Sequence, residues 1–335
     1  MRRGFSNHTH CFYGGTELGI VPDPSLLPLG VTTAVDQGSS GIATCDSFMQ
    51  TVVNHSQVRV FCNIHVSPTG LITERYSENV DPKNYDLGRL KELFQQYAGR
   101  IVGLKVRQGQ EMVGDFGLEP LKETVKIAAA LGCRVTVHTA NPPGDIAELV
   151  SILRPGDVFC HCYHGRGSTI LDQNGKVRQE IRQARRDGVI FDTADARIHH
   201  SFPVIQAALA DGFLPDVIST DVTRSSLFGN MVFGLPAVMS KYLSLGIPLE
   251  NVVRACTATP AGLIGMSGKL GTLAPGAFAD IAIFELTDKA FLFKNRLEET
   301  FCGNQLMIPK MTILNGKMMF RQIDFHSKQC SIPER

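Results

Sequence analysis

The chain has 335 residues, 43% of them apolar, and 33 basic residues against 32 acidic ones for a net charge of +1. That length exceeds an average domain but fits one α/β barrel with an appendage, and the apolar share is enough for a large core. A near-neutral charge offers no basic face to nucleic acid, and no run of roughly 18 or more uncharged apolar residues is present to span a bilayer.

The first twelve residues hold two arginines and then Asn7, His8, Thr9 and His10 where a leader would have its apolar stretch. A signal peptide is therefore not expected. Nine cysteines are scattered, odd in number and without zinc-finger spacing, which suits buried thiols in a reducing, cytoplasmic setting. The first predicted strand is the run 4–10. Alternate side chains of an extended strand share a face, so His8 and His10 can reach one metal together; a plain core or surface pair is the alternative. Short apolar, β-branched runs follow at 31–36, 59–66, 101–106, 134–139, 157–162, 189–192 and 217–221 and read as buried parallel strands. Helical patterns lie between several of them, at 87–97, 118–131, 145–153, 177–187 and 203–211. Eight strands alternating with helices argue for an α/β fold of the TIM-barrel type, a (β/α)8 barrel, over an open doubly wound sheet. The Gly-x-Gly-x-x-Gly fingerprint of a dinucleotide fold is absent after strand one.

The last third changes character. Residues 248–263 read as a closing helix broken at Thr259-Pro260-Ala261, and 268–276 are turn-rich. Strands are expected at 279–284 and 311–314, with Asn315-Gly316 turning the chain back into 317–320 as a tight hairpin. The organisation implied is a barrel over 1–266, a small outer β-layer over 267–322 and a polar tail over 323–335.

Active sites of such barrels form at the C-terminal ends of the strands, where His8 and His10 fall. Lys105 lies inside an apolar run, a costly place for an ammonium unless it is paired or modified. It either binds an acidic substrate group or is carbamylated, which would make it an anionic bridge between two metals. His138 and His161 end the next two strands and match two imidazoles of a second metal, although either alone also fits a satisfied strand-end histidine. His164, further out in a glycine-bearing loop, reads as a substrate-facing or supporting group or as a plain loop histidine. Asp221 ends strand eight. It either caps the next helix or holds a metal while accepting a proton from the attacking water. Arg197, His199 and His200 follow strand seven and either meet a substrate carboxylate or lie in a solvated loop.

His8-x-His10, Lys105, His138, His161 and Asp221 together resemble the amidohydrolase superfamily, most of all its dihydroorotase-like deacetylase subgroup. The runs 10–19, 30–41 and 103–107 and the stretch from Gly271 to Ile281 are similar to the subgroup's as well. The resemblance implies that His8, His10, Lys105 and Asp221 hold one metal, and Lys105, His138 and His161 the other. Two divalent ions are implied, zinc by ligand type with manganese or iron as alternatives, bridged by carbamylated Lys105. The implied reaction is hydrolysis of an amide or ester in a small acylated substrate, an N-acyl amino acid or acylated hydroxy acid, with Asp221 passing a proton to the leaving group. Arg107, His164, Asp195 and Arg197 are the expected substrate contacts.

Three departures from the subgroup bear on this. Its members have a further β-rich stretch before the first strand, so the outer β-sandwich is expected to be incomplete here, with exposed edges that favour a homo-oligomer. Ser6 stands where the subgroup has an aspartate, and Thr193-Ala194-Asp195-Ala196-Arg197 stands where it tends to show a histidine-glycine. The missing β-rich stretch and Ser6 support a second reading, a truncated, catalytically silent relative that binds a metabolite or partner. A third, a mononuclear deaminase of the same superfamily, would have no need of Lys105.

Overall fold

β-branched and apolar runs make strands that can be covered on both faces, and here they do. β1 (Gly4–Thr9), β2 (Val31–Gly41), β3 (Arg59–His65), β4 (Ile101–Arg107), β5 (Arg134–His138), β6 (Val158–Cys160) and β7 (Ile190–Asp192) pair in chain order, every pair parallel. All of β2 is buried. The computed structural model describes residues 4–196, 198–229 and 232–325; Arg197, Cys330, the side chain of Ser6 and the expected tail beyond residue 325 lie outside them.

The eighth member of the ring is not a regular strand. Residues 217–222 make single parallel bridges, Asp192 to Val217 on one side and Thr9 to Val222 on the other. Backbone bonds complete the seam: Thr193 N to Val217 O (3.1 Å), Asp221 N to His8 O (2.9 Å) and His10 N to Val222 O (3.1 Å). The barrel is therefore closed, and its last segment stays irregular because Asp221 adopts a left-handed φ of 47° that a strand does not accept.

Helices fall where polar caps and glycines place them. Asp86 caps Leu87–Gln96 through Arg89 N, Asp145 caps Ile146–Ser151 through Ala147 N, and Gly132 ends Glu119–Leu131 at a left-handed φ of 65°. The expected closing helix is two pieces, Leu249–Ala255 and Ala258–Leu263. The break comes at Thr257, whose φ/ψ of −140°/−79° is not helical, and Pro260 sits in the first turns of the second piece, where a missing N–H costs little. Helices at Arg224–Phe228 and Leu235–Ser244 were not expected.

The outer layer is larger than the sequence suggested. In place of two short strands, β8 (Ile281–Lys294) and β9 (Thr300–Leu314) form a long antiparallel ribbon, and β10 (Lys317–Arg321) pairs with β9 through the Asn315-Gly316 turn, both of whose residues have positive φ. Phe291, Phe293 and Phe301 pack against one another along this ribbon, and Phe301 reaches Phe202 at 5.7 Å between rings. Thr312 Oγ1 donates to Leu27 O at 2.6 Å, and Arg59 on β3 pairs with buried Asp280, fixing the layer to the barrel. Among the described residues no helix is long and apolar enough to cross a membrane.

Candidate active site

The strand ends bring the predicted residues together. His8 Nε2 lies 3.4 Å from Asp221 Oδ1 and 3.3 Å from Lys105 Nζ, and His10 Nε2 lies 3.1 Å from the same Asp221 oxygen. The rings of His8 and His161 are 5.5 Å apart, and those of His138 and His161 4.3 Å. All six groups are buried, from 0% exposure at His161 to 7% at Asp221. Asp221 is not spent on capping: the helix that follows is capped by Thr223 in a reciprocal pair with Ser226.

Neighbouring hydrogen bonds fix which imidazole nitrogens face the site. The Ala194 carbonyl can only accept, so His161 donates to it from Nδ1 (2.7 Å) and keeps the Nε2 lone pair. Ser39 Oγ donates to Asp36 Oδ2 (2.7 Å), which leaves the hydroxyl oxygen to accept from His10 Nδ1 (2.9 Å). Asp36 is itself held by Cys11 N and Ser39 N. Behind His8, Asp192 lies 3.9 Å from Nδ1 and accepts from Ser219 Oγ (2.6 Å) and Ala194 N (3.1 Å). Such outer carboxylates orient ligand histidines. No supporting role was expected for Asp36 and Asp192, which end predicted strands, or for Ser39 just beyond one.

Backbone strain concentrates here. His161, Ala194 and Asp221 all have positive φ, at 60°, 39° and 47°. Residues without a glycine's freedom hold such angles only when the surroundings impose them, and functional sites are where that occurs.

Burial drives His8, His138 and His161 well below the usual imidazole range, so all three are neutral donors. Burial also lowers Lys105, against the pull of Cys160 and Asp221, toward the free amine that carbamylation requires. For Asp221, burial works to raise the carboxyl, but the hydrogen bond and charge of His10 outweigh it and the net shift is downward. His138 Nε2 and His161 Nε2 are buried and have no hydrogen-bond partner among the described residues. Orphaned imidazole nitrogens beside a carboxylate and a buried lysine amine are a donor set that fits divalent transition ions. Cys160 Sγ lies near His8 and Asp192, and burial raises its thiol well above the ordinary range.

The expected substrate contacts divide. His164 is fully buried with Nε2 unpartnered among the described residues. Arg107 donates to Glu78 Oε2 (3.0 Å), while the other Glu78 oxygen faces His65 Nε2 at 2.9 Å. Glu78 comes from a polar loop in which nothing marked it. Asp195 is engaged elsewhere: its oxygens take Lys241 Nζ and Tyr242 OH (2.9 Å), so its carboxylate is committed to a buried pair. His199, weighed as a solvated loop residue, has a buried Nδ1 and sits among His138 and His161.

A ring of parallel strands with imidazoles, a carboxylate and a buried lysine at one mouth defines a metal-dependent hydrolase. Residues 25–319 match the amidohydrolase family model, and the chain belongs to that family, as a hydrolase acting on C–N bonds. It is 35% identical to a deacetylase from Agrobacterium fabrum over 282 residues, covering 84% of this chain and 69% of that one. A deacetylase from Brucella anthropi is 32% identical over 311 residues, with 92% and 77% covered. The crystal structure of a dihydroorotase superposes with a TM-score of 0.87 at 33% identity, covering 95% of this chain and 83% of the other.

Proposed function

We propose that this protein is a binuclear metal-dependent hydrolase that removes the acyl group from a small substrate, an N-acyl amino acid or an acylated hydroxy acid. The observation that carries the reading is that Lys105 Nζ and Asp221 Oδ1 each come within 3.4 Å of His8 Nε2, with His138 and His161 alongside. His8, His10 and Asp221 would hold one ion, His138 and His161 the other, and carbamylated Lys105 would lie between them. Zinc suits this donor set first, manganese or iron next. When bound, the ions would polarise the scissile carbonyl and lower the pKa of the attacking water.

The remaining chemistry belongs to the chain. Asp221, kept ionised by His10, takes the proton of the attacking water and returns it to the leaving amine or alkoxide. Donation from the Arg166 backbone N–H to His164 Nδ1 (3.4 Å) leaves the proton of His164 on Nε2, free to donate to the substrate. Arg107 supplies positive charge for a substrate carboxylate in partial exchange for Glu78. The deacetylase names of the relatives support an acyl substrate.

The test is metal content per chain after purification with bicarbonate, followed by acid release from a panel of N-acetyl amino acids and O-acetyl hydroxy acids. Close to two ions per chain and release of acetate are expected. Less than one ion after reconstitution with zinc or manganese would favour the catalytically silent relative that only binds.

A further inference from the structure

His199 belongs to no assigned role, yet it completes a cluster. The rings of His138, His161 and His199 lie 4.3 to 4.6 Å from one another, and one ligand nitrogen from each falls within 4.8 Å of the other two. Three of their nitrogens, His138 Nε2, His161 Nε2 and His199 Nδ1, are buried without a hydrogen-bond partner among the described residues. Three orphaned imidazoles packed together are unfavourable unless something shared satisfies them. Nitrogens bound to one ion at ~2.1 Å in tetrahedral geometry lie roughly 3.4 Å apart, so a contraction of about an ångström would bring the three around a common centre.

The backbone beside His199 is pinned from outside the barrel. Glu299, next to the tip of the β8–β9 ribbon, accepts from Ser201 Oγ (2.8 Å) and from Phe202 N (2.8 Å). Asn295, fully buried in the same turn, donates from Nδ2 to His200 O (2.9 Å) and to Glu299 Oε2 (2.8 Å). His200 Nδ1 in turn donates to Asp195 O (2.9 Å). The three residues that follow His199 are thus each tied to the ribbon's turn, and a loop expected to be solvated is fixed over the second ion's position.

We infer that His199 is a third imidazole ligand of the ion held by His138 and His161, and that the turn between β8 and β9 is the clamp that keeps it there. The inference rests on the binuclear reading above and adds a ligand and a positioning element to it. Its consequence is a second ion bound through three histidines as well as the bridge, matching the first ion in ligand number.

The experiment is titration of the metal-free protein with Co2+ against a competing chelator, read by cobalt absorption and by ion stoichiometry. His199→Ala, and the bulkier His199→Gln to separate loop collapse from loss of a ligand, should weaken the second ion roughly 100-fold or more. That exceeds the ~10–100-fold cost of losing an outer hydrogen-bonding partner. The visible bands should change intensity as the coordination changes. Glu299→Ala leaves every imidazole in place and should weaken the same ion by about 10-fold. If both His199 variants bind two cobalt ions with wild-type affinity and spectrum, His199 is not a ligand. If Glu299→Ala alone is silent, the clamp is wrong while the ligand stands. A wild-type protein that never binds a second cobalt ion would instead sink the binuclear reading beneath both.

Discussion

Replacing Gly38 by alanine would push on the stem of Lys105 without altering a charge. Gly38 has φ +79°, and a Cβ there would lie 2.7 Å from Lys105 Cγ, 2.8 Å from Lys105 Cβ and 3.0 Å from His65 Cδ2. A left-handed backbone costs a non-glycine residue about 1–2 kcal/mol. Forcing a methyl into a packed interior adds about 1–3 kcal/mol. Unfolding entropy of about 2.1 cal/mol/K per residue over 335 residues comes to about 0.7 kcal/mol/K. The two costs together then predict a Tm lowered by about 3–7 °C. Gly99 provides the control, because it has the same φ of +79° with nothing within 4 Å of its would-be Cβ. Gly99→Ala carries the backbone cost alone and should lower Tm by about 1.5–3 °C. Calorimetry on chelated samples removes the stabilisation that bound ions confer, and plasma mass spectrometry on reconstituted samples then counts ions. Gly99→Ala should keep the full complement, whereas Gly38→Ala should lose the ion that depends on Lys105. Equal Tm losses with equal metal content would refute the idea that Gly38 exists to admit the lysine.

Asp221→Asn should keep most of the metal and lose turnover by about 10²–10⁴-fold, the range for a removed general base; unchanged kcat would end that assignment. Lys105→Ala should empty at least one site, with short carboxylic acids restoring it, and two tightly held ions in that variant would contradict a bridging carbamate. Glu78, held at about 2 against an ordinary 4.5 by His65 and Arg107 despite burial, has a depressed folded pKa. Its contribution of about 3 kcal/mol is present above pH 4.5 and lost as pH falls toward 2. Glu78→Gln should flatten the acid limb of a stability-against-pH curve in that window, and an unchanged limb would show that the pair contributes nothing. Lys241→Met strands the Asp195 charge, a loss of about 3–5 kcal/mol in urea unfolding. Adding Asp195→Asn should recover most of it, and no recovery would mean the pair is not what the lysine serves.

The barrel was legible because its strands are buried on both faces and read as apolar runs, and because Asn315-Gly316 admits few alternatives to a hairpin. Six candidate site residues were legible for a related reason: they are polar groups within or at the ends of predicted strands, where polarity has no packing excuse. The β8–β9 ribbon was not legible. Its charged, half-exposed alternation between residues 285 and 310 resembles a loop until Phe291, Phe293 and Phe301 are seen on one surface. Glu78 escaped, and the inward placement of His199 was left open, since polar loops look alike in sequence and only the fold decides which side chains turn inward. The pairing of Asp195 was not legible, because its partner, Lys241, is a lysine within a helical run.

The seam that closes the barrel has a consequence for how the protein comes to life on the ribosome. His8 and His10 emerge first, but the strand that carries them bonds to residues 221 and 222, more than two hundred positions later. Lys105, His138 and His161 lie on strands that are neighbours in the chain, and chains fold in the order they are made. The two halves of the centre therefore mature in the reverse of their sequence order. The pocket around His138 and His161 can take shape on a nascent chain, while the one around His8 and His10 must wait for the seam. On the proposed binuclear reading, an ion delivered during synthesis would meet the His138–His161 site before the His8–His10 site exists.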